Sequence, residues 1–287
     1  MNDEKGLRIR LLGTGAGDAN WGLPGSEALP ARDVRRYASL FIAPDTLIDF
    51  NNHTPEALDT FGIAAAPVRH LLISHGHYDH LQPMEILRFA QKLPEPLRVY
   101  GNSMVRDALE FCRDNSFDAA SGRYAAQRQP FAIRTEVLRP GATVLAGRST
   151  VTALLANHFM NKPYNIMEQQ ALNFVLERGG RTLFYGLDSS YLLPGTLSAL
   201  ARFRFDAAIL DATFGPLKID PVGSGHLNWT MLDETISELR KAGCLTGETL
   251  IIADHLSTDN VEPYDEIAGR LSEKGITLAY DGMEVQV

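Results

Sequence analysis

Short apolar runs that end at a polar or glycine residue recur along the chain, and such runs predict buried β-strands. In the first half the predicted strands cover residues 7–12, 38–43, 46–49, 68–74 and 97–100. In the second half they cover residues 150–156, 171–177, 182–186, 207–210 and 249–253. Helical periodicity predicts helices over residues 83–92, 103–115 and 228–242. Two strand-rich halves, each with its own helices, predict an α/β fold built as a four-layer αβ/βα sandwich.

Polar side chains are concentrated where the predicted strand 68–74 ends. The segment that follows contains three histidines and one aspartate within six positions, namely His75, His77, Asp79 and His80. Side chains two positions apart on an extended chain point the same way, so His75 and His77 can bind one ion. Asp79 and His80 follow as the chain turns and can bind a second ion. Imidazole and carboxylate without thiolate suit zinc, manganese or iron, and the alternative is a polar loop with surface histidines.

Further histidines and aspartates stand at, or in the loops after, the ends of other predicted strands. They are Asp49, His158, Asp188, Asp211, His226 and His255. A sheet whose faces are covered by helices has its functional loops along one edge, at the strand ends. We therefore expect these positions, which are distant along the chain, to meet at one edge of the sandwich.

The string His75-x-His77-x-Asp79-His80 resembles the H-x-H-x-D-H signature of the metallo-β-lactamase superfamily, and the later landmarks follow in the order of that family. The glycine turn at residues 11–15 is similar to the opening of its phosphodiesterase branch. That branch includes the carbon–phosphorus-lyase-associated cyclic phosphodiesterase and the tRNA 3′-processing endonuclease. The resemblance implies the same αβ/βα fold and a site for two divalent ions, zinc or manganese, with iron as an alternative.

The resemblance also implies how the ligands divide between the two ions. The first ion would be bound by His75, His77 and His158, and the second by Asp79, His80 and His255. Asp188 would bridge the ions, because two cations close together need an anionic ligand between them. The alternative for Asp188 is the N-cap of a following helix.

Three more residues receive roles from the resemblance. Asp49 would accept a hydrogen bond from a ligand histidine and fix its tautomer, and a turn residue is the alternative. His226 would be the general acid for the leaving group, with Asp211 as its carboxylate partner, and helix capping is the alternative. If His226 does not donate the proton, metal-bound water or Asp79 is the alternative donor.

These residues predict a metal-dependent hydrolase. A hydroxide that bridges the two ions would attack the phosphorus of a small phosphodiester or cyclic phosphate, without a covalent enzyme intermediate. The same site can hydrolyse a lactone, thioester or other carboxylic ester, which is the alternative reaction. A non-catalytic metal-binding protein on a degenerate scaffold is the remaining alternative.

Composition limits the partners of the chain. Its 287 residues, 45% of them apolar, are enough for one large core, and we expect a single domain over residues 1–287. A net charge of −8 argues against an extended nucleic-acid partner and favours a small-molecule substrate. No membrane span or signal peptide is predicted, so a cytoplasmic location is expected, and a homodimer is left open.

A basic cluster after the first glycine-rich loop is a separate candidate. Arg32, Arg35 and Arg36 lie within five positions of one another and are close in sequence to the glycine turn. They are candidates for contact with a substrate phosphate near the metals. The alternative is a solvated turn with three exposed arginines. Residues 115–148, which are irregular in composition and contain five arginines, are a second candidate for a substrate loop.

Overall fold

The chain folds into two seven-stranded mixed β-sheets with helices on their outer faces, as seen in a computed structural model. The structure describes residues 6–126, 132–158, 170–221 and 224–287. The N-terminal start and residues 127–131 of the candidate substrate loop lie outside the described residues. No helix in the described ranges is long and apolar enough to cross a membrane.

The first sheet has the strand order β16-β1-β2-β3-β4-β5-β8. Strands β1, β2, β3 and β16 pair antiparallel, whereas β3, β4, β5 and β8 pair parallel. The strands of this sheet are β1 Arg8–Gly13, β2 Ser39–Ile42, β3 Thr46–Ile48, β4 His70–Leu72, β5 Leu97–Gly101, β8 Ile133–Val137 and β16 Glu284–Gln286. Helices α1 Thr54–Thr60, α2 Pro83–Gln91 and α3 Ser103–Asp114 belong to the same half.

The second sheet has the order β15-β14-β13-β12-β11-β10-β9 and repeats the same design. Its antiparallel part joins β9 to β12, and its parallel part joins β12 to β15. The strands are β9 Thr143–Ala146, β10 Ser149–Leu155, β11 Leu172–Arg178, β12 Arg181–Gly186, β13 Ala207–Asp211, β14 Leu250–Asp254 and β15 Ile276–Leu278. The helices of this half are α4 Pro194–Leu200, α5 Trp229–Lys241 and α6 Tyr264–Glu273.

Three apolar clusters explain the layers. The central cluster joins the two sheets, with Leu11 and Ile42 of the first sheet and Phe174 and Ile209 of the second sheet all buried in it. A second cluster packs the first sheet against α1, α2 and α3, and a third packs the second sheet against α4, α5 and α6. The order is helices, sheet, sheet, helices, which confirms the predicted four-layer αβ/βα sandwich.

Some elements were not predicted from the sequence. The additional strands β8, β9, β15 and β16 extend the sheets at their edges, and β6 Asn115–Asp118 pairs with β7 Arg123–Ala126 in a separate hairpin. The hairpin lies in the candidate substrate loop. Its strands are largely exposed, so their residues lack the burial pattern that marks a strand in a sequence. The predicted strand at 68–74 is also shorter, because only His70–Leu72 pair as β4.

The parallel strands place the candidate residues at one edge. Strand β3 ends before Asp49 and β4 ends shortly before His75. In the other sheet, the parallel neighbours β12, β13 and β14 end at or just before Asp188, Asp211 and His255. Because the carboxyl ends of parallel strands meet at the same edge of a sheet, these side chains converge there.

Candidate metal centre

The segment after β4 turns back on itself through backbone hydrogen bonds. The amides of His80 and Leu81 both donate to the carbonyl of His77, at 3.0 and 2.8 Å. The carbonyl of His80 accepts from the amide of Phe50 at 2.9 Å, which ties the turn to the end of β3. The turn therefore presents its four ligand-type side chains from a rigid backbone.

Two groups of ligand-type atoms that share no residue form at this edge, and a third group, Asp188, His226 and His255, overlaps both. In each group the atoms lie within 4.8 Å of one another. In the first group, Nδ1 of His77 lies 2.8 Å from Nε2 of His75 and 3.1 Å from Nε2 of His158. In the second group, Nε2 of His80 lies 3.2 Å from Nε2 of His255. The first group contains His75, His77, His158 and Asp188, and the second contains Asp79, His80 and His255. These are the seven residues that the resemblance implied as ligands.

Asp188 lies between the two groups. Its Oδ1 is 3.8 Å from Nε2 of His75 and 3.6 Å from Nε2 of His158. Its Oδ2 is 3.0 Å from Nε2 of His80 and 3.3 Å from Nε2 of His255. One carboxylate oxygen thus faces each group, which is the arrangement that a bridging ligand requires. The N-cap of α4 is Leu193, so helix capping is not the role of Asp188.

The side chains in this centre fit metal ions. Oδ2 of Asp188 is buried and accepts no hydrogen bond from the described residues, although burying an unsatisfied carboxylate oxygen is costly. Five ring nitrogens and the two carboxylates of Asp79 and Asp188 point into a small volume. Neutral imidazole and carboxylate are ligands that zinc, manganese and iron accept, and bound cations would neutralise this crowded negative charge.

The pKa values of the histidines differ between the two groups. Burial lowers the pKa of His75 well below its usual value and lowers the pKa of His158 to about 4, despite the nearby Asp188. Burial also disfavours the charged form of His255, but Asp188, Asp79 and Asp211 outweigh it and raise the pKa of His255 to about 9. His75 and His158 are therefore already in the neutral form that binds metal, whereas metal binding at His255 releases a proton.

Four of the ligand histidines are supported through their other ring nitrogen, Nδ1. His80 contacts Oδ2 of Asp49 at 2.8 Å, and His158 contacts the carbonyl of Gly225 at 2.9 Å. The support for the other two comes from hydroxyl groups, Ser74 beside His75 at 3.0 Å and Thr213 beside His255 at 2.8 Å. Such partners orient a metal-binding imidazole with Nε2 toward the ion.

Neither hydroxyl was identified by sequence reasoning. Ser74 precedes the first ligand histidine directly, and Thr213 stands two positions after Asp211 at a strand end. The position of Ser74 next to a ligand histidine is a signal that could have been found in the sequence. The distance between Thr213 and His255 depends on the pairing of β13 with β14, which only the fold provides.

His226 lies at the side of the centre that faces solvent. Its Nδ1 contacts Oδ2 of Asp211 at 2.8 Å, and its Nε2 lies 4.0 Å from Oδ1 of Asp188. The N-cap of α5 is Asn228, whose side chain accepts from the amide of Met231 at 2.9 Å, so capping is not the role of His226. Asp211 also accepts from the amide of Asp188 at 3.1 Å, which connects His226 to the centre.

Backbone strain is concentrated here as well. Among the described residues, the non-glycine residues with positive φ are Asp49, Asp188 and His255, at 59°, 49° and 59°. This left-handed conformation is unfavourable for residues with a Cβ atom and persists where the surrounding contacts enforce it. All three residues are among those assigned to the site by the sequence.

An open cavity of about 360 Å³ leads to the centre. Its floor is formed by the metal-ligand candidates His77, Asp79, His158, Asp188 and His255, together with His226. Around them the wall contains Tyr78 and Phe214 as aromatic groups and Asp18 and Asn260 as polar groups. The hydroxyl of Tyr78 donates to the carbonyl of Gly17 across one side of the cavity, at 2.5 Å. The cavity has room for a small organic substrate.

The arginine cluster lies elsewhere, which corrects the hypothesis that it reaches a phosphate near the metals. Arg35 and Arg36 are each only 3% exposed, so the solvated turn is wrong for them as well. Arg36 pairs with Glu56 at 2.8 Å and with Asp281 at 3.3 Å. Arg32 lies between the rings of Tyr264 and Tyr280. None of the three lines the cavity. Arg36 contacts Glu56 of α1, and Arg32 contacts Tyr264 at the start of α6.

Comparisons with known proteins agree with the fold. A profile of the beta-lactamase superfamily domain matches residues 42–252, well over half of the chain. Zn²⁺-bound PqqB from Methylobacterium extorquens has a TM-score of 0.70 at 14% identity, over 98% of this chain and 100% of its own. A diphosphatase from the PhnP family has a TM-score of 0.69 at 18% identity, over 98% of each chain. Human tRNase Z, short form, has a TM-score of 0.65 at 17% identity, over 97% of this chain and 98% of its own.

A comparison with curated protein sequences gives no significant match. The fold, the histidine and aspartate centre and the profile match together define a metal-dependent hydrolase with the metallo-β-lactamase fold. The chain belongs to the metallo-β-lactamase superfamily.

Proposed function

We propose that this protein is a dinuclear phosphodiesterase that acts on a small phosphodiester or cyclic phosphate. His75, His77 and His158 would hold the first ion, Asp79, His80 and His255 the second, and Asp188 both. When bound, two such ions supply a water-derived nucleophile near neutral pH and neutralise charge on the substrate oxygens. Zinc and manganese are the expected ions, and iron is the alternative.

The observation that carries the proposal is the position of His226. Asp211 accepts a hydrogen bond from Nδ1 at 2.8 Å, so Nε2 is left to face the cavity beside Asp188. A histidine held in this way can donate a proton from Nε2 to the oxygen of a departing alcohol, while Asp211 stabilises the ring as its charge changes. An alkoxide is a poor leaving group unless its oxygen is protonated. A proton donor at this place therefore suits hydrolysis of a phosphodiester.

The surroundings support a substrate with an organic group on each side of the phosphorus. Tyr78 is 55% exposed at the mouth of the cavity, and Phe214 lines the wall next to His226 at a ring distance of 5.7 Å. These rings offer apolar surface to a retained substituent. The diphosphatase of the PhnP family and human tRNase Z share this fold, and their names describe chemistry at phosphorus.

A substrate panel tests the reaction. Metal-loaded protein is assayed with a bis(p-nitrophenyl) phosphate diester, p-nitrophenyl phosphate, a 2′,3′-cyclic nucleotide, a lactone and a thioester, each with zinc and with manganese. We expect faster turnover of the diester than of the monoester. Preferred hydrolysis of the lactone or thioester would make carboxylic ester hydrolysis the function, and no turnover of any substrate would favour a non-catalytic metal-binding protein.

A leaving-group comparison tests His226. His226→Ala should lower turnover of a diester with an alkyl leaving group by roughly 10²–10⁴, the range for general acid catalysis. It should matter little for p-nitrophenolate, which leaves without protonation, and metal content should not change. His53→Ala is the matched control, because His53 is partly buried but lies outside the cavity. Equal losses on both leaving groups would refute the acid role and return the proton donor to bound water or Asp79.

Three expectations from the sequence remain predictions. They are a small-molecule substrate, a cytoplasmic location and a single domain over residues 1–287. Whether the protein forms a homodimer is left open.

A further inference from the structure

Asp49 is a carboxylate beside the centre that has four hydrogen-bond contacts. It is fully buried. Its Oδ1 accepts from the amide of Ser74 at 2.8 Å. Its Oδ2 lies 3.0 Å from Oγ of Ser74, 2.8 Å from Nδ1 of His80 and 3.1 Å from the hydroxyl of Tyr185. Only one of these contacts involves a ligand histidine directly.

The hydroxyl of Ser74 extends this network to a second histidine. Oγ lies 3.0 Å from Oδ2 of Asp49 and 3.0 Å from Nδ1 of His75. A serine hydroxyl has one proton to donate, and an ionised carboxylate can only accept. The proton of Ser74 therefore points to Asp49, and Oγ accepts a hydrogen bond from Nδ1 of His75.

The direction of these hydrogen bonds determines which nitrogen of His75 can bind metal. With the proton on Nδ1, the lone pair of Nε2 faces Nδ1 of His77, 2.8 Å away, and the rest of the first group. If the hydroxyl instead donated to His75, the proton of that ring would be on Nε2, where it blocks coordination. Ser74 is only 2% exposed, so solvent does not readily replace its hydroxyl.

We propose that Ser74 is a positioning residue that connects Asp49 to His75, so that one buried carboxylate orients a ligand in each of the two ion sites. His80 of the second site is held by Asp49 directly, and His75 of the first site is held through Ser74. The inference rests on the two-ion centre proposed above, but it does not depend on the reaction or on the substrate.

The test separates the two ion sites by using variants that each lack one ligand. His255→Ala weakens the second site and His158→Ala weakens the first, so each parent keeps one ion. Ser74→Ala is introduced into both parents, and Zn²⁺ affinity is measured by competition with a chromophoric chelator. We expect about a tenfold to hundredfold loss of affinity in the His255→Ala parent, typical of a lost partner to a ligand histidine. In the His158→Ala parent the affinity should stay within about threefold, because the remaining ion is in the second site and His75 is not one of its ligands.

Ser39→Ala is the matched control, because Ser39 is a buried serine of the first sheet without a contact to a ligand. It should change neither affinity. An equal loss of Zn²⁺ affinity in both parents, or no loss in either, would overturn the proposed connection of Asp49 to His75 through Ser74. If a parent binds two ions or none, the assignment of the ligands to two ion sites is wrong. That outcome would refute the two-ion centre and is distinct from a failure of the role of Ser74.

If the double variants do not fold, Ser74→Ala alone is compared with Asp49→Asn in protein with all ligands present. Removal of the hydroxyl should weaken one of two Zn²⁺ binding steps, and neutralisation of Asp49 should weaken both. Weakening of both steps by Ser74→Ala to the same extent as by Asp49→Asn would overturn the proposal.

Discussion

The contact between Gly225 and His158 makes a sharp prediction about the first ion site. The carbonyl of Gly225 lies 2.9 Å from Nδ1 of His158. Gly225 has a φ of +75°, and a Cβ atom added there would lie 2.7 Å from Nδ1 of His158. Gly225→Ala therefore does two things. It places a side chain on a left-handed backbone, and it pushes directly on a ring that is a candidate metal ligand.

The two effects have different magnitudes. The left-handed conformation costs roughly 1–2 kcal/mol for a residue with a Cβ atom. The clash is more specific, because 2.7 Å is about 0.7 Å shorter than the 3.4 Å at which ordinary contact begins. A ligand ring displaced by several tenths of an ångström loses its productive geometry. We expect Zn²⁺ affinity at the first site to fall about tenfold to a hundredfold, as it does when a partner of a ligand histidine is lost.

Gly275→Ala provides the matched control. Gly275 has a φ of +76°, and a Cβ atom there would meet nothing within 4 Å. Both variants should lose a similar free energy of unfolding in urea, measured on metal-free protein. Only Gly225→Ala should bind the first Zn²⁺ more weakly in chelator competition. Parent affinity in Gly225→Ala, or an equal loss in Gly275→Ala, would refute the reasoning.

Three further predictions follow from other contacts. Asp188→Ala should lower metal content from about two ions per chain, since it removes the carboxylate that faces both groups, and elemental analysis showing one ion or none in the parent after saturation would contradict the two-ion centre. Burial lowers the pKa of His53, whose Nδ1 accepts from the amide of Tyr37, so the unfolded chain binds this proton more readily. The stability that His53 contributes should be present above about pH 6.5 and lost as pH falls below it. The free energy of unfolding in urea should therefore fall less for His53→Gln than for the parent as the pH is lowered from above to below about 6.5. Arg178→Met should lower the free energy of unfolding by roughly 3 kcal/mol in urea, because it leaves Asp45 without its partner at 2.6 Å, whereas exposed Arg202→Met should change it little.

The fold could be predicted because its core strands have strong patterns. Apolar runs such as Leu250–Asp254 and Ala207–Asp211 are buried on both faces, so they are continuous and end abruptly at polar residues. Edge strands lack this signal. Glu284–Gln286 is a three-residue strand with only one partly buried position, and nothing in its sequence distinguishes it from a loop.

The candidate ligands could also be named from the sequence, since each combines a metal-binding side chain with a strand end. The arginines show where such reasoning fails. A basic cluster near a glycine turn is equally compatible with phosphate binding and with ion pairs, and the choice depended on partners such as Asp281, which is 245 positions from Arg36.

The sequence by itself determined the four-layer architecture and the residue types of the site, because periodicity and ligand chemistry are local properties of the chain. Only the tertiary structure decided which atoms meet. The two oxygens of Asp188 face different histidine groups, Ser74 lies between Asp49 and His75, and Asp211 contacts His226. These contacts depend on strand register and on the packing of one sheet against the other, which join residues far apart in sequence and leave no periodic pattern in it.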